Sequence, residues 1–142
     1  MTEFDRSSFF YFCDITTRWM DNDVYGHVNN VVYYSYFDSV ANQYLIEAGG
    51  LDIHSAPSIA FVVASSCQYR TPVAYPDLIE GGLRVNRVGS SSVEYGIGIF
   101  AKGAEGASAS GTFTHVFVNR QTNKSTPIPA NIREALIAIN SN

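Results

Sequence analysis

At 142 residues the chain lies in the commonest size range for one domain, and 46% apolar residues are enough for a substantial core. A net charge of −4 and a pI near 5.2 speak against general affinity for nucleic acid or an anionic membrane. Charged residues are sparse at 15%, and nine tyrosines with nine phenylalanines add much apolar surface, so part of the exterior is expected to be buried between subunits.

The start, Met1-Thr2-Glu3-Phe4-Asp5-Arg6, lacks the basic end and apolar centre of a signal peptide. No apolar run approaches the ~18 residues needed to span a bilayer, so a cytoplasmic location is expected. Residues 9–19 read as a strand containing Cys13, and Cys67 falls in a separate strand-like stretch. Without C-x-x-C spacing the two are expected to be buried free thiols rather than a zinc site or redox pair. Residues 30–48 place Tyr33, Phe37, Val40, Ala41, Tyr44, Leu45 and Ala48 at three- and four-residue spacing, the period of a helix that Gly49-Gly50 stops. Val31, Val32, Tyr34 and Tyr36 widen its apolar face, which predicts a helix covered on more than one side. Tyr33, Tyr34, Tyr36 and Phe37 read as core or subunit interface.

The remainder punctuates as strands. Residues 58–66 form a continuous apolar run, and 68–73 extend it to Pro72, a residue suited to an edge or an end. Three more strands are predicted over 77–88, 93–102 and 107–118, joined by the short turns Gly89-Ser90-Ser91-Ser92 and Gly103-Ala104-Glu105-Gly106. A polar turn over 119–124 leads past Pro127 and Pro129 to a short last helix over 131–139. With no internal repeat, low-complexity stretch or linker, residues 1–142 read as a single domain. Its class is α+β, an antiparallel five-stranded sheet wrapped on a long central helix.

Between the first strand and the helix, residues 21–30 hold two acids, a histidine and, at their end, the adjacent asparagines Asn29 and Asn30. A carboxylate and a row of free backbone N–H groups then face one small space, which suits attack on a polarised carbonyl. As loop residues alone, Asp21 reads as loop-stabilising or solvent-facing, Gly26 as a backbone turn or a close approach to ligand, and Asn29 or Asn30 as the helix cap. His54 and His115 have no acidic partner at ligand spacing and read as structural. No metal site is predicted.

The run Trp19-Met20-Asp21-Asn22-Asp23-Val24-Tyr25-Gly26-His27-Val28-Asn29-Asn30, continuing through Tyr33, Tyr34, Tyr36 and Phe37, resembles a known signature. It is that of hotdog-fold acyl-CoA thioesterases of the 4-hydroxybenzoyl-CoA thioesterase type. Further matches follow in the same order: Tyr69-Arg70-x-Pro72-Val73 before Tyr75-Pro76-Asp77, then Val116-Phe117-Val118-Asn119-Arg120 leading to Pro127-Ile128-Pro129. The resemblance implies hydrolysis of an acyl-CoA to free acid and CoA, with no cofactor. A thiol leaving group with a pKa of roughly 8.5 needs no strong acid to expel it.

By that resemblance Asp23 is the catalytic carboxylate, either a nucleophile forming a mixed anhydride or a base that activates water. Seven residues on, Asn30 donates an oxyanion hydrogen bond from its backbone. His27 has either a direct role or a structural hydrogen bond across the loop. The pattern acid-x-Asn-x-His-Val-Asn-Asn is similar to that of plant-type acyl-ACP thioesterases, which have asparagine where this chain has Tyr25. Tyr25 and Gly26 fall to the substrate, and Arg87, Ser90, Ser91 and Ser92 match the region that contacts the CoA nucleotide, with Arg70 and Lys102 as other basic candidates. A homodimer or homotetramer with the site between subunits is implied. The rival readings are an acyl-ACP thioesterase, a non-hydrolytic acyl-thioester binding protein, and a hotdog hydratase or dehydratase.

Overall fold

The helical spacing after the acidic loop becomes one long helix, α1 (Val32–Glu47), in a computed structural model that describes residues 4–141. Residues 1–3, part of the start read as lacking a signal peptide, and residue 142 lie outside the described residues. α1 buries Tyr33, Tyr36, Phe37, Val40, Ala41, Tyr44 and Leu45. Ser35, Asp38, Ser39, Ile46 and Glu47 are exposed, so within one chain the helix is covered on one side rather than several. Hydroxyls and acids on its back make that face comfortable in water. Past Gly49-Gly50 the Leu51 N–H donates back to the Leu45 carbonyl at 3.1 Å, ending the helix where expected.

The apolar runs form β1 (Tyr11–Thr16), β2 (Ser58–Tyr69), β3 (Leu78–Val88), β4 (Ser92–Ala101) and β5 (Ala109–Asn119). All pairings are antiparallel in the order β1-β3-β4-β5-β2, so β1 and β2 are the edges. Leu83, Val85, Tyr95, Ile97, Ile99, Phe113 and Phe117 make one core with the buried face of α1. A Cβ at Gly81 would collide with Val40, so bare backbone there lets helix and sheet close together. A central helix wrapped by a five-stranded antiparallel sheet is the hotdog arrangement that the motif implies. α2 (Ala130–Ala138) seals the C-terminal end of α1 with Ile132 and Leu136, and Tyr44 donates its hydroxyl to the Ala135 carbonyl.

Several details differ from the sequence expectation. β1 stops at Thr16, because the Asp21 carboxylate accepts from the Arg18 backbone and folds Trp19–Asp21 into a 3-10 turn. Cys13 and Cys67 are free but only half-buried, since each lies on an edge strand. β5 begins two residues later than predicted. Pro72 follows the end of β2, and that strand is an edge, bonded on one side only. On it Phe61, Val62 and Val63 are 41%, 48% and 58% exposed, an unpaired apolar edge of the kind that invites another strand. Among the described residues no helix is long and apolar enough to cross a membrane, and no group of three His, Cys, Asp or Glu side chains is placed to hold a metal ion.

Candidate active site

Residues 21–29 fold back on themselves as a small hairpin. Asn22 and Val28 form an antiparallel bridge, Asp23 N–H donates to the His27 carbonyl at 2.8 Å, and Gly26 N–H donates to the Asp23 carbonyl at 3.0 Å. Gly26 closes the turn at φ +86 with nothing within 4 Å of where a Cβ would lie, so it serves the turn rather than a close approach within this chain. Asp23 Oδ1 accepts the Tyr25 N–H at 2.9 Å, an Asx turn, and Oδ2 has no partner among the described residues. The carboxylate is thus oriented at one oxygen and available at the other. Around it Trp19, Met20, Val24 and Tyr25 stand 76%, 72%, 95% and 83% exposed, and with Asn22, Gly26 and Asn29 they line an open cleft.

The hairpin's base is Asp21, which is 1% exposed rather than solvent-facing. Its carboxylate accepts from the Tyr36 hydroxyl at 2.7 Å, the Arg18 N–H at 2.9 Å, and Arg18 Nε and Nη2 at 3.1 and 3.0 Å. Burial alone would raise this carboxyl, but the bonds from Tyr36 and Arg18 outweigh it and hold the group below its ordinary range. Of the two readings for Asp21, loop stabilisation is the one the geometry supports. On the other side the hairpin is strapped by Val28 N–H to the Val73 carbonyl at 2.8 Å and by Tyr75 N–H to Asn22 Oδ1 at 3.0 Å. Trp19 packs edge-to-face on Tyr75.

Asn29 closes the turn that leads into α1, whose N-cap is Val31: its Oδ1 accepts the Val31 N–H at 3.1 Å and its carbonyl the Val32 N–H at 2.9 Å. The Asn30 side chain makes no such bond among the described residues. The Asn30 carbonyl accepts the Tyr69 hydroxyl at 3.1 Å, and its own N–H has no partner among the described residues. An amide at the start of a helix, pointing to no acceptor, is what an oxyanion donor requires. The His27 ring is exposed without a hydrogen-bond partner among the described residues; the bond across the loop uses its backbone carbonyl instead.

The nucleotide candidates lie elsewhere. Arg87 is exposed next to a bulge in β3, and Ser90 and Ser91 turn the chain into Ser92, the first residue of β4. Arg133 of α2 donates to the Gly89 and Ser90 carbonyls at 2.8 and 3.0 Å, tying the turn to that helix. β3 starts beside the hairpin, where Thr17 donates its hydroxyl to the Asp77 carbonyl, and runs away from it for 11 residues, or roughly 35 Å at ~3.3 Å per residue. One chain thus places Asp23, Tyr25 and Gly26 in one cleft, with His27 in the same hairpin and Asn30 just after it, and the 89–92 turn away from them. Arg70 is the basic candidate at the Asp23 end, in a small depression with Val28 and Tyr33, while Lys102 is paired to Asp14. Sequence reasoning missed Tyr36, Arg18 and Tyr69 as supports. The available signal was a buried tyrosine, whose hydroxyl must find an acceptor.

The sequence pattern of the thioesterase-like superfamily matches residues 17–136. The structure is similar to that of the PA5185 protein from Pseudomonas aeruginosa strain PAO1, with a TM-score of 0.95 and 51% identity over 97% of this chain and 96% of that one. Slr0204, a 1,4-dihydroxy-2-naphthoyl-CoA thioesterase from Synechocystis, shares the fold at 15% identity, with a TM-score of 0.79 over 89% of this chain and 95% of its own. YsmA of Bacillus subtilis (strain 168) is 26% identical over 88 residues, a match spanning 62% of this chain and only 59% of YsmA. With most of its length matched, the chain belongs to the thioesterase-like superfamily, and membership supports thioester hydrolysis as its reaction class.

Proposed function

We propose that this protein hydrolyses an acyl-CoA to the free acid and CoA, in the manner of the 4-hydroxybenzoyl-CoA thioesterase type. The reading is supported by two groups without a partner among the described residues, Asp23 Oδ2 on the hairpin and the N–H of Asn30, which follows it. The carboxylate either adds to the thioester carbonyl, expelling CoA thiolate and leaving a mixed anhydride for water to cleave, or takes a proton from water as it adds. In both routes the carbonyl oxygen gains negative charge, to which the Asn30 N–H donates a hydrogen bond. The exposed Trp19, Met20, Val24 and Tyr25 around Asp23 are apolar enough to take the acyl group or a second copy's surface.

A second copy also supplies what one chain separates. The Tyr69 end of β2 lies by Asn30, and its Ser58 end pairs with Asn119, at the end of the sheet that carries Ser92 opposite Val116. Joining two β2 edges antiparallel about a two-fold axis brings the Asp23 hairpin of one chain toward the 89–92 turn of the other. Arg87, Ser90, Ser91 and Ser92 then reach the CoA of the neighbouring site. A panel of short and long aliphatic and aromatic acyl-CoAs, assayed for CoA release, tests the reading. Turnover of at least one member is expected, and binding without turnover across the panel contradicts it.

A further inference from the structure

We infer that Tyr36 is a positioning residue for hydrolysis: through the buried Asp21 carboxylate, its hydroxyl sets Asp23 relative to the Asn30 N–H. The inference rests on the roles proposed above for Asp23 and Asn30. Those two groups belong to different pieces of structure. Asp23 rides on the hairpin, which backbone bonds close as far as Asn29, whereas Asn30 leads into α1, so the orientation in which Asp23 meets the Asn30 N–H depends on how that hairpin is seated on the helix. The straps at Val28 and Asn22 fasten it to the 73–75 segment instead. Among the described residues, the Tyr36 hydroxyl on Asp21 is the one side-chain hydrogen bond from residues 21–28 to α1.

Asp21 is well placed to transmit that constraint. Its side chain holds Tyr36 and Arg18, its backbone carbonyl accepts the Asn29 N–H at 2.8 Å, and Asp23 follows two residues later in the bridged hairpin. A buried carboxylate is a poor choice for stability alone, since apolar residues of similar volume usually serve as well. Directional bonds from two elements instead define one geometry, which an apolar contact would leave adjustable. Displacement of a reacting group by ~1 Å can cost ~10²-fold in rate.

The test is Tyr36→Phe, which removes the hydroxyl and keeps the ring packed edge-to-face on Tyr33. Kinetics use the acyl-CoA turned over fastest in the panel, beside thermal melting, with Asp23→Asn as reference. Tyr36→Phe is expected to lower kcat by at least ~10-fold with KM within roughly twofold, since the acyl and CoA contacts are untouched. A purely structural hydroxyl would lower the melting temperature and leave kcat per folded enzyme unchanged, and that result overturns the inference. Arg18→Gln is the second variant, decisive if Tyr36→Phe does not fold. It keeps the backbone bond to Asp21, loses the guanidinium, and is expected to lower kcat by about threefold with KM unchanged; unchanged kcat overturns the inference. An active Asp23→Asn variant refutes the Asp23 reading itself, whereas an inactive one beside wild-type kcat in Tyr36→Phe refutes the positioning role alone.

Discussion

Asn30 contributes through its backbone, which makes proline its informative substitution. Proline is tolerated at the start of a helix yet removes the N–H, so Asn30→Pro should lower kcat/KM by about 10²-fold while the protein still melts cooperatively. Turnover within threefold of wild type in a folded Asn30→Pro protein would remove the oxyanion role. Asn29 behaves oppositely, because its side chain satisfies the Val31 amide. Asn29→Ala is expected to cost about 1 kcal/mol of stability in urea unfolding. The sequence suggested that one of the two adjacent asparagines caps the helix; the cap position is Val31 instead, and Asn29 closes the turn before it. Asp21 was harder to read. Its burial depends on Tyr36, fifteen residues away, and local spacing carries no trace of that bond.

At the level of elements, the helix and strands were legible because period and punctuation agreed: three- and four-residue spacing up to Gly49-Gly50, then apolar runs divided by glycine, serine and proline. Their order in the sheet was not, since β2 crosses to the far edge beside β5 and nothing local specifies that choice. The same crossing buries His115 of β5, 3.0 Å from the Tyr95 hydroxyl, in a pocket that disfavours imidazolium. Burial pushes its pKa from 6.5 down to about 4. Between those values the unfolded chain binds the proton and the folded chain does not, so stability falls as pH falls through this window, by roughly 3 kcal/mol. His115→Gln keeps an acceptor for Tyr95 and cannot charge. Urea unfolding at pH 7 and at pH 4 should show a smaller difference for His115→Gln than for wild type; equal differences would exclude His115 as the source.

For the whole molecule, the exposed edge of β2 and the separation of Asp23 from the 89–92 turn point to one assembly. Light scattering should return a species of at least twice 15.6 kDa, and a single species near 15.6 kDa at micromolar concentration contradicts the shared site. Val63→Lys places a charge on the β2 edge at a residue already 58% exposed, so each chain should fold while edge pairing fails. Mass and turnover should then fall together. Sparse charge in the sequence raised the expectation of covered surface, and the edge position of β2, the surface proposed for it, is not carried by local spacing.

The central claim is that the Asp23 carboxylate performs the chemistry, and Asp23→Ala tests it most directly. Hydrolysis of the preferred acyl-CoA is measured beside thermal melting, with Asp38→Ala, an exposed acid on the back of α1, as the equal-charge control. Asp21 cannot serve as that control, being the buried base of the same hairpin. Turnover of Asp23→Ala should fall by at least ~10²-fold in a protein that remains folded, with Asp38→Ala close to wild type. Near-wild-type turnover in folded Asp23→Ala protein would contradict the account.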